Sequence, residues 1–120
     1  QNWLAIMDAY APADAPRDTF AQAGYLAARV VTEAMLTLDP ADITRETVTA
    51  AIAEVTAFES DILCADWYYG DGAERQNANH TTRMAVTDGG EWKTVGDCRP
   101  SGDPELADIL AYEADAGIGN

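Results

Sequence analysis

The chain reads as α/β: two main helices followed by a small antiparallel β-hairpin. Three observations point there. Apolar residues recur at three- and four-residue steps through the first half, two alternating runs flank Asp88-Gly89-Gly90 in the second, and 120 residues allow one compact core at most.

The helical part opens with Trp3, Leu4, Ile6, Met7 and Tyr10 at helix-compatible spacing. Ala11-Pro12-Ala13-Asp14-Ala15-Pro16 must be a turn or loop, because each proline disfavours helix in the residue before it. Asp18 or Thr19 can cap the next helix, whose stripe is Phe20, Ala23, Ala27, Val30, Val31, Ala34 and Leu38. Its small residues permit close packing, and Asp39-Pro40 ends it. Thr44 caps a second helix with Val48, Ala51, Ile52 and Val55 on its apolar face and Phe58 closing it against the core.

Beyond that point the pattern changes. Ile62-Leu63-Cys64 and Trp67-Tyr68-Tyr69 are β-prone and predict a short strand before the turn signal Gly70-Asp71-Gly72. Residues 74–80 read as a polar surface loop. Residues 82–87 and 91–95 then form a hairpin whose loop has two or three residues. A weak helical stretch at 104–112 precedes a glycine-rich end expected to fray.

Seven basic against twenty-one acidic residues give a net charge of −14, which repels phosphate backbones and anionic membranes and excludes nucleic acid as a partner. Residues 21–38 are broken by Gln22, Arg29, Thr32 and Glu33, so nothing approaches the roughly 18 apolar residues of a membrane helix. The chain opens on Gln1 with neither Met nor a leader pattern, and reads as a processed or excised segment.

Few residues point to chemistry. His80 is the only histidine and has no neighbouring nucleophile signature. Asp61, Asp66, Asp71 and Glu74 miss the spacing of a calcium loop and read as solvated carboxylates, so no metal site and no cofactor are implied. Cys64 and Cys98 fit neither a redox pair nor a zinc site, leaving a disulfide or two separate thiols. Tyr25 lies off the main helical stripe near the helix N-terminus, where a ring and a hydroxyl beside backbone N–H groups suit a small carboxylate-bearing solute.

Asp18-Thr19-Phe20-Ala21-Gln22-Ala23-Gly24-Tyr25-Leu26-Ala27-Ala28-Arg29, the second helix and Asp61-Ile62-Leu63-Cys64 follow one another in an order that resembles type I periplasmic binding proteins. The resemblance is to the branched-chain amino acid ABC-transporter kind, and Arg83-Met84-Ala85-Val86 with Gly90-Glu91-Trp92-Lys93 resembles the strand, turn and strand near that family's C-terminus. It implies a partial Rossmann-like lobe of a two-lobed clamshell over residues 1–98, with 99–120 as a C-terminal extension. It also implies capture of an amino acid or similar solute without catalysis, and delivery to ABC-transporter membrane subunits.

Carried over by position, the resemblance makes Tyr25 a ligand contact, with Phe20 and Gln22 beside it, and places Met84, Ala85 and Val86 at a hinge crossover. It favours a Cys64–Cys98 disulfide and hence the periplasm or cell exterior. Most of the pocket would then belong to the remainder of the same protein upstream of Gln1. Two other readings stay open: a ligand-sensing receptor domain of the same fold, and a small independent disulfide-bonded secreted enzyme or inhibitor using Asp71 or His80.

Overall fold

The computed structural model describes residues 2–69 and 80–117. Among the described residues, four α-helices and one two-stranded antiparallel sheet make the α/β architecture: α1 (Asn2–Tyr10), α2 (Thr19–Met35), α3 (Arg45–Ala53), β1 (Thr81–Asp88), β2 (Glu91–Pro100) and α4 (Ala107–Ala116).

Local side-chain chemistry sets the helix starts. The Asp18 carboxylate accepts the Ala21 N–H at 2.9 Å, so Asp18 is the cap of α2. Thr44 caps α3 in a reciprocal box with Thr47, each side chain accepting the other's backbone N–H. Helix α2 stops at Met35, five residues before Pro40, because Leu36, Thr37 and Leu38 tighten into turns on Thr32, Ala34 and Met35 carbonyls. Asp39 then caps a 3₁₀ turn, Pro40–Asp42. The loop after α1 is held by Arg17, which pairs with Asp8 at 2.9 Å and donates to the Ala13 and Ala15 carbonyls.

The hairpin loop has two residues, Gly89 (φ +62°) and Gly90 (φ +85°), both in the left-handed region where a side chain would be strained. Strand β2 runs five residues past the expected Val95, to Pro100. Pairing jumps from Thr82–Arg99 to Met84–Val95, so residues 96–98 bulge out of β2, with Gly96 at φ +73° making the bend. The bulge carries Cys98 out of the ladder. Cys98 is bonded to Cys64, with 5.5 Å between the Cα atoms, and the Arg83 guanidinium donates to Cys98 Sγ at 3.1 Å.

Residues 62–64 and 67–69 do not form the expected strand. Ile62 and Leu63 N–H groups turn back on Ser60, and only an isolated bridge joins Phe58 and Trp67. The Tyr69 N–H goes to the Val55 carbonyl. With its backbone groups spent on three separate partners, this stretch cannot line up a ladder. The turn signal Gly70-Asp71-Gly72, Glu74 and the rest of that polar loop to Asn79 lie outside the described residues.

The described core is small: Trp3, Ala34, Phe58 and Tyr68 are the buried apolar residues. Of the predicted α2 stripe only Ala34 is buried, while Phe20 is 87% exposed. Helix α2 packs on α3 through one side, leaving the other open. The molecule is a slab, 47 × 41 × 19 Å, with a radius of gyration of 16.7 Å against about 14 Å for a compact chain of this length. Its thin dimension is shorter than two stacked helix layers of about 10–12 Å each.

Candidate functional site

Gln22, Tyr25, Arg29 and Glu33 fall on one side of α2, three or four residues apart. The Arg29 guanidinium lies 5.9 Å from the Tyr25 ring centre and 4.9 Å from that of Phe58. It donates to Glu33 from Nε at 3.0 Å and from Nη2 at 2.5 Å, and the hydrogen bond to Glu33 raises its pKa further above the ordinary guanidinium value. Arg29 is thus a fixed cation between two rings.

Arg29 also lines a polar cleft of about 540 Å³ with Asn2, Glu59, Ser60, Asp61 and Asp66. Asp61 accepts the Asn2 N–H at 3.0 Å, fixing the start of α1 at the cleft edge. Two further clefts flank α2. One, of about 610 Å³, lies between α2 and α3 and includes Thr47, Glu54 and Phe58. The other, of about 400 Å³, is almost wholly apolar and is lined by Ala23, Ala27, Val31, Ile52, Leu63 and Trp67 among others.

The residues expected at a ligand site are only partly brought together. Tyr25 and Gln22 are half-buried on one face, whereas Phe20 projects from the first turn on the far side. Tyr25 sits six residues past Thr19, about 9 Å along the axis, and the Asp18 carboxylate already occupies the helix N-terminus. The N–H groups there do not serve Tyr25. Its link to the polar cleft runs through Arg29, which the sequence reading passed over although the i, i+4 spacing from Tyr25 was visible. Met84, Ala85 and Val86 lie inside β1, paired with Val95, Thr94 and Lys93.

A family model described as periplasmic binding protein matches residues 1–91. The chain belongs to the periplasmic binding protein family. No curated protein and no solved structure gives a significant match. The matched span includes α1 to α3, the polar cleft and β1, and ends at the first residue of β2. Extracytoplasmic solute binding is the activity of this family, and a disulfide persists in such a compartment. Among the described residues no helix is long and apolar enough to cross a membrane, and no cluster of metal-ligating side chains is found.

His80 is not a solvated loop residue. Its Nε2 lies 3.4 Å from Glu113 Oε2, and Glu113 Oε1 accepts the Tyr68 hydroxyl at 2.8 Å. Asp71 lies outside the described residues. Burial first, then the bond to Glu113, pushes the Tyr68 phenol up from its ordinary value. Folding therefore favours the protonated phenol, and this contribution to stability is intact below about pH 10 and lost as pH rises towards the higher folded value. Urea unfolding above about pH 10 should show stability falling. Tyr68→Phe should flatten that fall, and an unchanged slope would remove Tyr68 as its source.

Proposed function

We propose that this chain is part of a solute-binding protein for an ABC importer, with a branched-chain amino acid or related small organic solute as ligand. The family match over residues 1–91 carries the reading. Supporting it, the polar cleft offers what an amino acid needs: carboxylates at Glu59, Asp61 and Asp66 for an ammonium group, and the Arg29–Tyr25 pair at its edge. Tyr25 is the principal contact, with Gln22 secondary on the same face of α2. Met84, Ala85 and Val86 flex as a hinge crossover, residues 99–120 are an extension, and the membrane subunits of the importer receive the solute.

Further polypeptide of the same protein completes the site. The open side of α2, with Ala23, Ala27 and Val31 around an apolar cleft, is the kind of face a Rossmann-like lobe covers with its sheet. Calorimetric titration of the protein carrying this chain with a panel of amino acids tests the assignment. Tyr25→Ala should weaken the best ligand by about 1–3 kcal/mol, the scale of losing a ring contact and a hydrogen bond. An unaltered affinity takes Tyr25 out of the site, and no binding across the panel overturns the ligand class.

A further inference from the structure

A carboxylate-bearing solute in the polar cleft needs an anchor, and most of what surrounds it repels one. At the N-terminus of α2 the Asp18 side chain takes the Ala21 N–H and brings a negative charge of its own. The chain carries a net charge of −14, and Glu59, Asp61 and Asp66 put further carboxylates into the cleft lining. Arg29 is the cation among the described residues of that lining.

The Arg29 guanidinium is arranged for the task. Such a group has five N–H donors in one plane, with a side-on pair on Nε and Nη2 and an end-on pair shared by Nη1 and Nη2. Glu33 Oε1 takes the side-on pair. The end-on pair is left over, and two parallel N–H donors match the two oxygens of a carboxylate. The Phe58 ring, itself 3% exposed, holds the guanidinium through its π face at 4.9 Å. The Arg29 side chain is 30% exposed, so a solute can reach it while much of the water that would compete for its donors is excluded.

We propose that Arg29 is the carboxylate anchor of the polar cleft, gripping the solute through its end-on pair of donors while Glu59 and Asp66 hold the ammonium group. The proposal rests on the solute-binding role given above and narrows it to zwitterions. A free α-amino acid satisfies both walls of the cleft. Its amide, its ester and the amine left by removing its carboxylate satisfy one. Asp61 contributes less to the ammonium side, because one of its oxygens already accepts the Asn2 N–H at 3.0 Å.

Calorimetric titration of the whole protein that carries this chain with matched pairs, leucine, valine and phenylalanine each against its carboxamide, reads the anchor directly. At about pH 6 both members of a pair are protonated at the α-amino group, so they differ at the carboxylate alone. The unaltered protein should prefer the acid of its tightest pair by about tenfold or more. Arg29→Gln should weaken that acid by about 10- to 100-fold, the loss of a charge-assisted hydrogen bond, and shift the amide by less than about threefold, so that the preference disappears. Arg29→Lys keeps the charge without the fork and should retain part of the preference, and it gives the same comparison if Arg29→Gln fails to fold. Equal weakening of acid and amide would make Arg29 a structural residue and overturn the proposal. An amide bound as tightly as its acid by the unaltered protein overturns it too. Both of those results leave the solute-binding role standing, whereas a failure of every probe to bind overturns the two together.

Discussion

Replacing Cys64 and Cys98 with serine is expected to lower stability by about 3–4 kcal/mol, the chain-entropy value for a closed loop of this length. The two cysteines are 34 residues apart in sequence. The bond joins segment 58–69 to the bulge of β2, and no strand pairing links the two otherwise. Without the bond, the hairpin stays attached through the Tyr68–Glu113–His80 contact and the chain between residues 69 and 80. Urea denaturation of the oxidised protein against the double serine variant measures the difference. A loss below about 1 kcal/mol would mean that the unfolded chain is little constrained by the bond.

The parts of this fold that depend on neighbours in sequence were legible before the structure. Asp18 and Thr44 announce helices because a short oxygen-bearing side chain reaches the N–H three residues on, whatever else the protein does. Asp88-Gly89-Gly90 announces the hairpin because two successive positive-φ positions admit glycine without strain. The failures share the opposite property. Burial of the α2 stripe depends on what covers it, so Phe20 reads as core from periodicity yet stands in solvent. Residues 62–69 have strand composition, but a strand needs a neighbour, and theirs reduces to the single bridge between Phe58 and Trp67. Tyr68 and Glu113 meet across 45 residues, and no periodicity encodes such a pair. At the candidate site Tyr25 was singled out from its place on the helical wheel and again by resemblance, whereas Arg29 emerges only when Phe58 is seen under its guanidinium.

Phe58→Ala is expected to cost about 3–5 kcal/mol, near the top of the range for a single core truncation. Phe58 is 3% exposed, lines both the cleft between α2 and α3 and the apolar cleft, and holds Trp67 through the paired backbone hydrogen bonds of the bridge. Removing its ring would merge the two clefts and leave Arg29 with Tyr25 as its remaining aromatic partner among the described residues. Phe58→Leu separates these effects. It keeps most of the apolar volume and deletes the ring, so the part assignable to the cation–π contact should be about 0.5–1 kcal/mol. Phe20→Ala, at a position 87% exposed, should stay within about 0.5 kcal/mol in the same urea experiment. If Phe58→Ala proved as mild as Phe20→Ala, the docking of α2 on α3 would have to rest on Ala34 and its neighbours alone, and Arg29 would lose the packed ring that fixes it at the edge of the polar cleft.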